Sequence, residues 1–155
     1  MNDMEKLYTG AINDVLREFC LVDQALPPEI HPLRDEMKIC GIAYTIRSSK
    51  DPLISGEMDT RAKMLDEMPR NCICVWDTGG ETEAAHWGEI MTAASVVRGA
   101  RGAVIDGGLR DTKQVLAQGV SSVSQIPNIQ RDAQPLPHYR IQCAYKNWRH
   151  SHLSR

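Results

Sequence analysis

The sequence predicts an α/β domain, and three observations carry that reading. Short apolar runs with the character of buried strands alternate with segments whose apolar residues recur at helical spacing. Two of these runs close on an aspartate and a glycine pair, Asp77-Thr78-Gly79-Gly80 and Asp106-Gly107-Gly108, which is turn chemistry at strand ends. No internal repeat or linker divides the 155 residues, a length that suits one domain with its own core.

Taken in order, Thr9 is placed to cap a helix running to about Phe19, with Ala11, Ile12, Val15 and Leu16 on one face. A loop with Pro27, Pro28 and Pro32 follows. Ile39 to Ile46 is apolar at alternating positions on both faces, as in a strand buried on both sides. Asp51 to Gly56 reads as a loop. Met58, Ala62, Leu65 and Met68 give a helix stopped by Pro69, its methionines serving as core filler. Cys72 to Trp76 is a second strand. Ile90, Ala93, Ala94 and Val97 line a helix that ends near Gly99. Ala103 to Ile105 is a short strand stopped at Asp106, and Thr112 to Ala117 a short helix.

Composition narrows the function classes. A net charge of -2 gives no general electrostatic attraction for nucleic acid. No apolar run approaches the ~20 residues that span a bilayer, so no membrane partner is expected. The acidic, polar start is not a signal peptide, and five irregularly spaced cysteines read as free thiols of a reducing cytoplasm. Cys72 and Cys74 share one strand face. A zinc or redox pair there lacks a second pair at ligand spacing, and buried structural thiols are the expectation.

The chemistry-bearing stretch is His86 to Asp111. Gly88 permits close approach of a ligand to the backbone. The amides of Ile90 and Met91 lie in a first helical turn, where unpaired N–H groups and the helix dipole favour an anion. Arg110-Asp111 places a guanidinium beside a carboxylate at a strand's C-terminal end, the edge at which open α/β sheets bind ligands. Each residue also has a plain structural role available. Asp111 suits a helix cap, Glu89 compensates the dipole, Arg110 suits a solvated surface, and His86 suits a position leading into a helix. Asp77 and Asp106 are ordinary turn residues.

Together these residues resemble a known family. The run His86-Trp87-Gly88-Glu89-Ile90, then Ala93-Ala94, Arg98-Gly99 and Gly102 to Asp111, is similar to the central signature of the family that joins 4-hydroxy-4-methyl-2-oxoglutarate aldolase with the regulator of ribonuclease activity A. Thr9 to Leu16, Gly41 to Thr45 and Val75 to Asp77 resemble further family blocks, so the likeness covers roughly residues 7–119. It implies a three-layer β/β/α swivelling, phosphohistidine-domain-like fold. It implies a pyruvate aldolase using Mg²⁺ or another divalent cation such as Mn²⁺, with oxaloacetate decarboxylation as a side activity. In that scheme the catalytic set is Arg110, Asp111 and Glu89. Asp111 is the metal ligand, Glu89 holds water on the metal where the aldolase has aspartate, and Arg110 meets the keto or enolate oxygen. Gly88, Ile90 and Met91 bind substrate, the last two through amides that hold the pyruvyl carboxylate. The implied partners are a small 2-oxoacid and further copies of the chain in a trimer or hexamer. A Schiff-base alternative needs a desolvated lysine, and only Lys113 is near. The family's regulatory branch, which binds ribonuclease E, lacks the aspartate after the arginine, so Asp111 points to the enzymatic branch. Gln114 departs from an acidic residue that aldolases often carry, which bears on metal affinity.

The family pattern stops after Gly119, which divides the chain into an aldolase-like part, 1–119, and a tail, 120–155. The tail has no glycine, one acid (Asp132) and the bases Arg131, Arg140, Lys146, Arg149 and Arg155. A disordered basic tail and a nucleic-acid arm stacking through Tyr139, Tyr145 and Trp148 are two readings. Translation in a shifted frame explains more. Back-translated from His138 and moved one nucleotide forward, the segment can be read ITEYNVPIKIGGIVIYPG, which resembles family sequence. Trp148 has a single codon, so the glycine it yields is forced. An out-of-frame tail should show little regular structure, with at most a strand near Val120 to Ser124, and should leave the fold incomplete and the chain inactive.

Overall fold

The computed structural model describes residues 3–50, 56–127 and 139–144, with backbone alone for Lys50, 123–127 and 139–144. The class is α/β, as predicted. A 3-10 turn at Met4–Lys6 precedes α1 (Thr9–Glu18), β1 (His31–Pro32), β2 (Ile42–Lys50) and α2 (Glu57–Asp66). Then come β3 (Cys72–Asp77), β4 (Ala85–Trp87), α3 (Glu89–Arg98), β5 (Gly102–Leu109), α4 (Thr112–Ala117), β6 (Ser121–Pro127) and β7 (Tyr139–Ala144). The strands form one connected sheet in the order β1-β6-β5-β3-β2-β7, from which β4 branches to pair with β5. The inner pairs β2-β3, β3-β5 and β5-β6 are parallel, while β1 and β7 close the two edges antiparallel.

The core sits on one face of β2 and β3. Tyr44 and Ile46 on β2 and Cys72, Cys74 and Trp76 on β3 alternate inward, against Ala103 and Ile105 of β5 and Met64 and Met68 from α2 and its exit. Trp76 and Trp87 meet edge to face with ring centroids 6.4 Å apart. The Trp76 indole donates to Ser48 Oγ at 2.9 Å, and the Tyr44 hydroxyl to the Met64 carbonyl at 3.2 Å, so both buried polar tips are satisfied. Cys72 and Cys74 are buried free thiols on the same face, as expected. A bond with Cys74 holds the Cys72 thiol below its ordinary pKa against the opposing effect of burial.

Several elements depart from the sequence reading. Thr9 is the first residue of α1, and Tyr8 holds the cap position without a side-chain bond. β2 starts at Ile42 and runs on to Lys50. Only one of its faces is covered, since Ala43, Thr45 and Arg47 are exposed. The inward face of α2 is Glu57, Arg61 and Met64, while Met58 and Ala62 point outward. The Glu57–Arg61 ion pair turns this polar stripe inward, which apolar periodicity cannot reveal. On α3, likewise, Thr92 and Ser95 are buried while Ile90 and Val97 are exposed. β4 has no counterpart in the reading, and His86 lies on it instead of leading into a helix. β5 does not stop at Asp106. It continues through both glycines, with φ 155° at Gly107 and a register irregularity between Ile105 and Gly108. The loop expected over Asp51 to Gly56 lies outside the described residues except for Gly56, which caps α2.

Little regular structure is expected beyond Gly119, and two strands are present there. β6 extends the strand expected near Val120 to Ser124 and sits between β5 and β1; β7 pairs with β2 over six residues, Thr45↔Ala144 to Lys50↔Tyr139. The reason is that a ladder is made by main-chain groups, which any run free of interior proline supplies to an open neighbour. The basic residues Arg131, Lys146, Arg149 and Arg155, and the aromatics Tyr145 and Trp148, lie outside the described residues.

Candidate functional site

Two strand-to-helix corners meet at the end of β5. The first is Gly88, between β4 and α3; the second is Arg110-Asp111, between β5 and α4. The Arg110 amide donates to the Trp87 carbonyl at 3.0 Å, which extends the β4–β5 pairing and locks the corners together. Thr92 builds the first corner. Its hydroxyl accepts from the Trp87 indole at 2.8 Å and donates to the Gly88 carbonyl at 2.9 Å, while its amide donates to the same carbonyl at 3.0 Å.

Asp111 occupies the cap position of α4 with φ 56°, but its side chain makes no capping bond there. Its Oδ2 instead accepts from the Glu89 amide at 3.3 Å, across the gap between corners, and lies 3.6 Å from Arg110 Nε. The carboxylate is thus aimed at the N-terminus of α3 and away from its own helix. A β-carbon on Gly88 would fall 2.8 Å from Asp111 Oδ2 and 3.0 Å from Arg110 Cγ, so glycine here leaves room for those two side chains. Beyond Glu89, the amides of Ile90 and Met91 have no intrahelical acceptor.

All six residues singled out from the sequence line one cavity of about 120 Å³: Gly88, Glu89, Ile90, Met91, Arg110 and Asp111. His86 and Trp87 line it from β4. Buried His86 packs edge-on to Trp76 with centroids 5.7 Å apart. Met58 and Arg61 complete the wall from α2, a helix outside the signature. The available signal for them was the Glu57–Arg61 spacing of four, which pairs side chains on one helix face. A larger hollow of about 510 Å³ lies past β3 between Arg47 and Glu83, but it contains none of the six. Asp77 and Asp106 line neither hollow, and Asp77 accepts from the Gly79 amide at 2.8 Å as a turn residue does.

The donor set suits a hard divalent cation. Asp111 is partly exposed, Glu89 is on the adjoining corner, and both line the cavity. Mg²⁺ takes one or two protein carboxylates and otherwise water. No group of three His, Cys, Asp or Glu gathers among the described residues, so a closed zinc-type set is not offered there.

Residues 9–145 match the RraA-like family model, described as Aldolase/RraA. This chain belongs to that family. The match runs past Gly119, where the resemblance read from sequence ends, and reaches β7. Protein DlpA of Legionella pneumophila is 29% identical over 107 residues, covering 69% of this chain and 17% of DlpA. A solved structure described as novel cellulases from microbes associated with the gut ecosystem is 41% identical, with a TM-score of 0.80 over 92% of this chain and 64% of that one. The RNA-processing inhibitor RraA from Thermus thermophilis shares the fold, with a TM-score of 0.65 at 19% identity over 87% of this chain and 76% of that one. The chain therefore spans about a sixth of DlpA and just under two thirds of the 41%-identical structure. No helix among the described residues is long and apolar enough to cross a membrane.

Proposed function

We propose that the chain is a divalent-metal-dependent pyruvate aldolase. It would cleave 4-hydroxy-4-methyl-2-oxoglutarate or a similar 4-carboxy-4-hydroxy-2-oxoacid to pyruvate, and decarboxylate oxaloacetate as a side activity. The observation that carries this reading is the orientation of Asp111, whose carboxylate faces the N-terminus of α3 beside Arg110 instead of capping α4. Both reactions generate a pyruvate enolate, and both need positive charge and directed donors where that negative charge develops.

Asp111, with Glu89 nearby, would hold Mg²⁺ or Mn²⁺. When bound, such a cation would supply Lewis-acid stabilisation of the negative charge that develops on the enolate. The amides of Ile90 and Met91 receive the pyruvyl carboxylate at the positive end of α3. Arg110 donates to the C2 oxygen and stabilises the charge that gathers on it during C–C cleavage. Gly88 lets the substrate approach the backbone, and Trp87 excludes water from one side.

The same reading includes assembly as a trimer or hexamer. Ile90 and Met58, at the cavity's rim, are 76% and 73% exposed, which a neighbouring copy would cover. The second reading is a non-catalytic regulator that binds ribonuclease E, favoured by the fold shared with an RNA-processing inhibitor. The test is pyruvate release from 4-hydroxy-4-methyl-2-oxoglutarate with Mg²⁺. Release abolished by EDTA is expected. No release, together with capture of ribonuclease E, would replace the aldolase with the regulator.

A further inference from the structure

We propose that Arg61 recognises a distal carboxylate of the ligand and so restricts the cavity to 2-oxoacids that carry a second carboxylate. The cleavage step rests on the aldolase reading above, while the binding preference stands on the cavity's own geometry.

Arg61 lies on α2, outside the motif that supplies the rest of the site, yet its side chain lines the same cavity as Arg110 and Asp111. It is only 10% exposed. Its guanidinium is fixed from three directions. Nε and Nη2 meet Glu57 Oε1 at 2.7 and 2.6 Å, Nη1 donates to the His86 carbonyl at 3.3 Å, and Cζ lies 5.1 Å from the centre of the Trp76 ring. A guanidinium has five N–H donors. These contacts use three and leave one N–H on each terminal nitrogen, among the described residues. Two free donors on one rigid plane match the two oxygens of a carboxylate. Glu57 balances the charge and leaves those donors unused.

A purely structural role explains less. A buried ion pair contributes little stability over an apolar pair of the same volume. Here the arginine of that pair lines the same cavity as Ile90, Met91 and Arg110. With the 2-oxo carboxylate held at α3 and Arg110 on the C2 oxygen, Arg61 is the other cation lining the cavity and the one left for a second carboxylate.

The experiment compares two probes of the same carbon skeleton, 2-oxoglutarate and 2-oxopentanoate, which differ in the distal carboxylate. Calorimetry with the full chain and Mg²⁺ should show 2-oxoglutarate binding roughly tenfold tighter or more. Equal binding by the unaltered chain, or no binding of either probe, would overturn the proposal. The double variant Glu57→Leu/Arg61→Met removes both charges together, so no lone buried charge is left. It should bind 2-oxopentanoate as before and lose the preference; a retained preference would also overturn the proposal. Should that variant not fold, Arg61→Lys keeps the charge and loses the planar fork, and the preference should fall by most of its value. Pyruvate release from 4-hydroxy-4-methyl-2-oxoglutarate is measured alongside. Selective binding without release would remove the aldolase reading and leave Arg61's role intact.

Discussion

The corner at Gly88 is described down to its side chains, and the two strands after Gly119 chiefly through their main-chain pairing. At the corner, side chains interlock. Thr92 bonds the Gly88 carbonyl, Asp111 reaches the Glu89 amide, and Arg61 holds the His86 carbonyl. β6 and β7 pair with β5 and β2 in main-chain register, and among the described side chains the Ser121 hydroxyl donates to the Lys38 carbonyl at 2.9 Å. Main-chain pairing tolerates many sequences, whereas an interlocked corner tolerates few. Strand formation after Gly119 therefore says little about whether the tail's residues were selected for it, and the corner is where substitutions should matter.

The largest effect is expected from Arg110→Ala. Loss of the donor to the C2 oxygen should lower kcat/KM by about 10²–10³-fold with the fold intact, measured as pyruvate release and circular dichroism. An unchanged kcat/KM would remove Arg110 from the reaction. Gly88→Ala comes next. Its β-carbon would push Asp111 Oδ2 from 2.8 Å, and a displacement on that scale should cost about 10²-fold in turnover with little change in stability. Wild-type activity in this variant would mean that the corner is looser than its packing implies.

Glu57→Ala tests the same interlocking through stability. It leaves Arg61 buried and unpaired, so denaturant unfolding should show a loss of about 3–5 kcal/mol. A loss within about 0.5 kcal/mol, the range of ordinary surface substitutions, would show that the pair is solvated. Ser122→Ala gives the contrasting small effect on the tail side. Ser122 Oγ is buried without a hydrogen-bond partner among the described residues, so removing it should change stability by no more than about 1 kcal/mol, in either direction. We also propose that the tail is read out of frame. The nucleotide sequence from codon 119 onward decides this: moved one nucleotide forward, it should read as family sequence through the tail, and unrelated sequence in that frame would remove the idea. A chain rebuilt in the restored frame should gain thermal stability; no gain would mean that β6 and β7 already complete the sheet.

The sequence by itself determined the α/β class, the order of its main elements and the six residues that gather at the cavity. These rest on local signals. Gly99 ends α3 with φ 83°, as its place after the last apolar residue implied, and the Thr112–Ala117 helix has the expected bounds. Periodicity and turn chemistry act over a few residues and can be read along the chain. Only the tertiary structure decided which helix faces turn inward. Glu57 and Arg61 are buried because each neutralises the other, while the apolar face of α3 stays exposed. It also decided that Asp106-Gly107-Gly108 continues a strand where Asp77-Thr78-Gly79-Gly80 turns. Gly107 passes against Thr78, whose hydroxyl bonds the Asp106 carbonyl, and β4 pairs alongside. Those outcomes depend on partners distant in sequence. A glycine pair leaves both conformations open, and the neighbour that packs against it selects one.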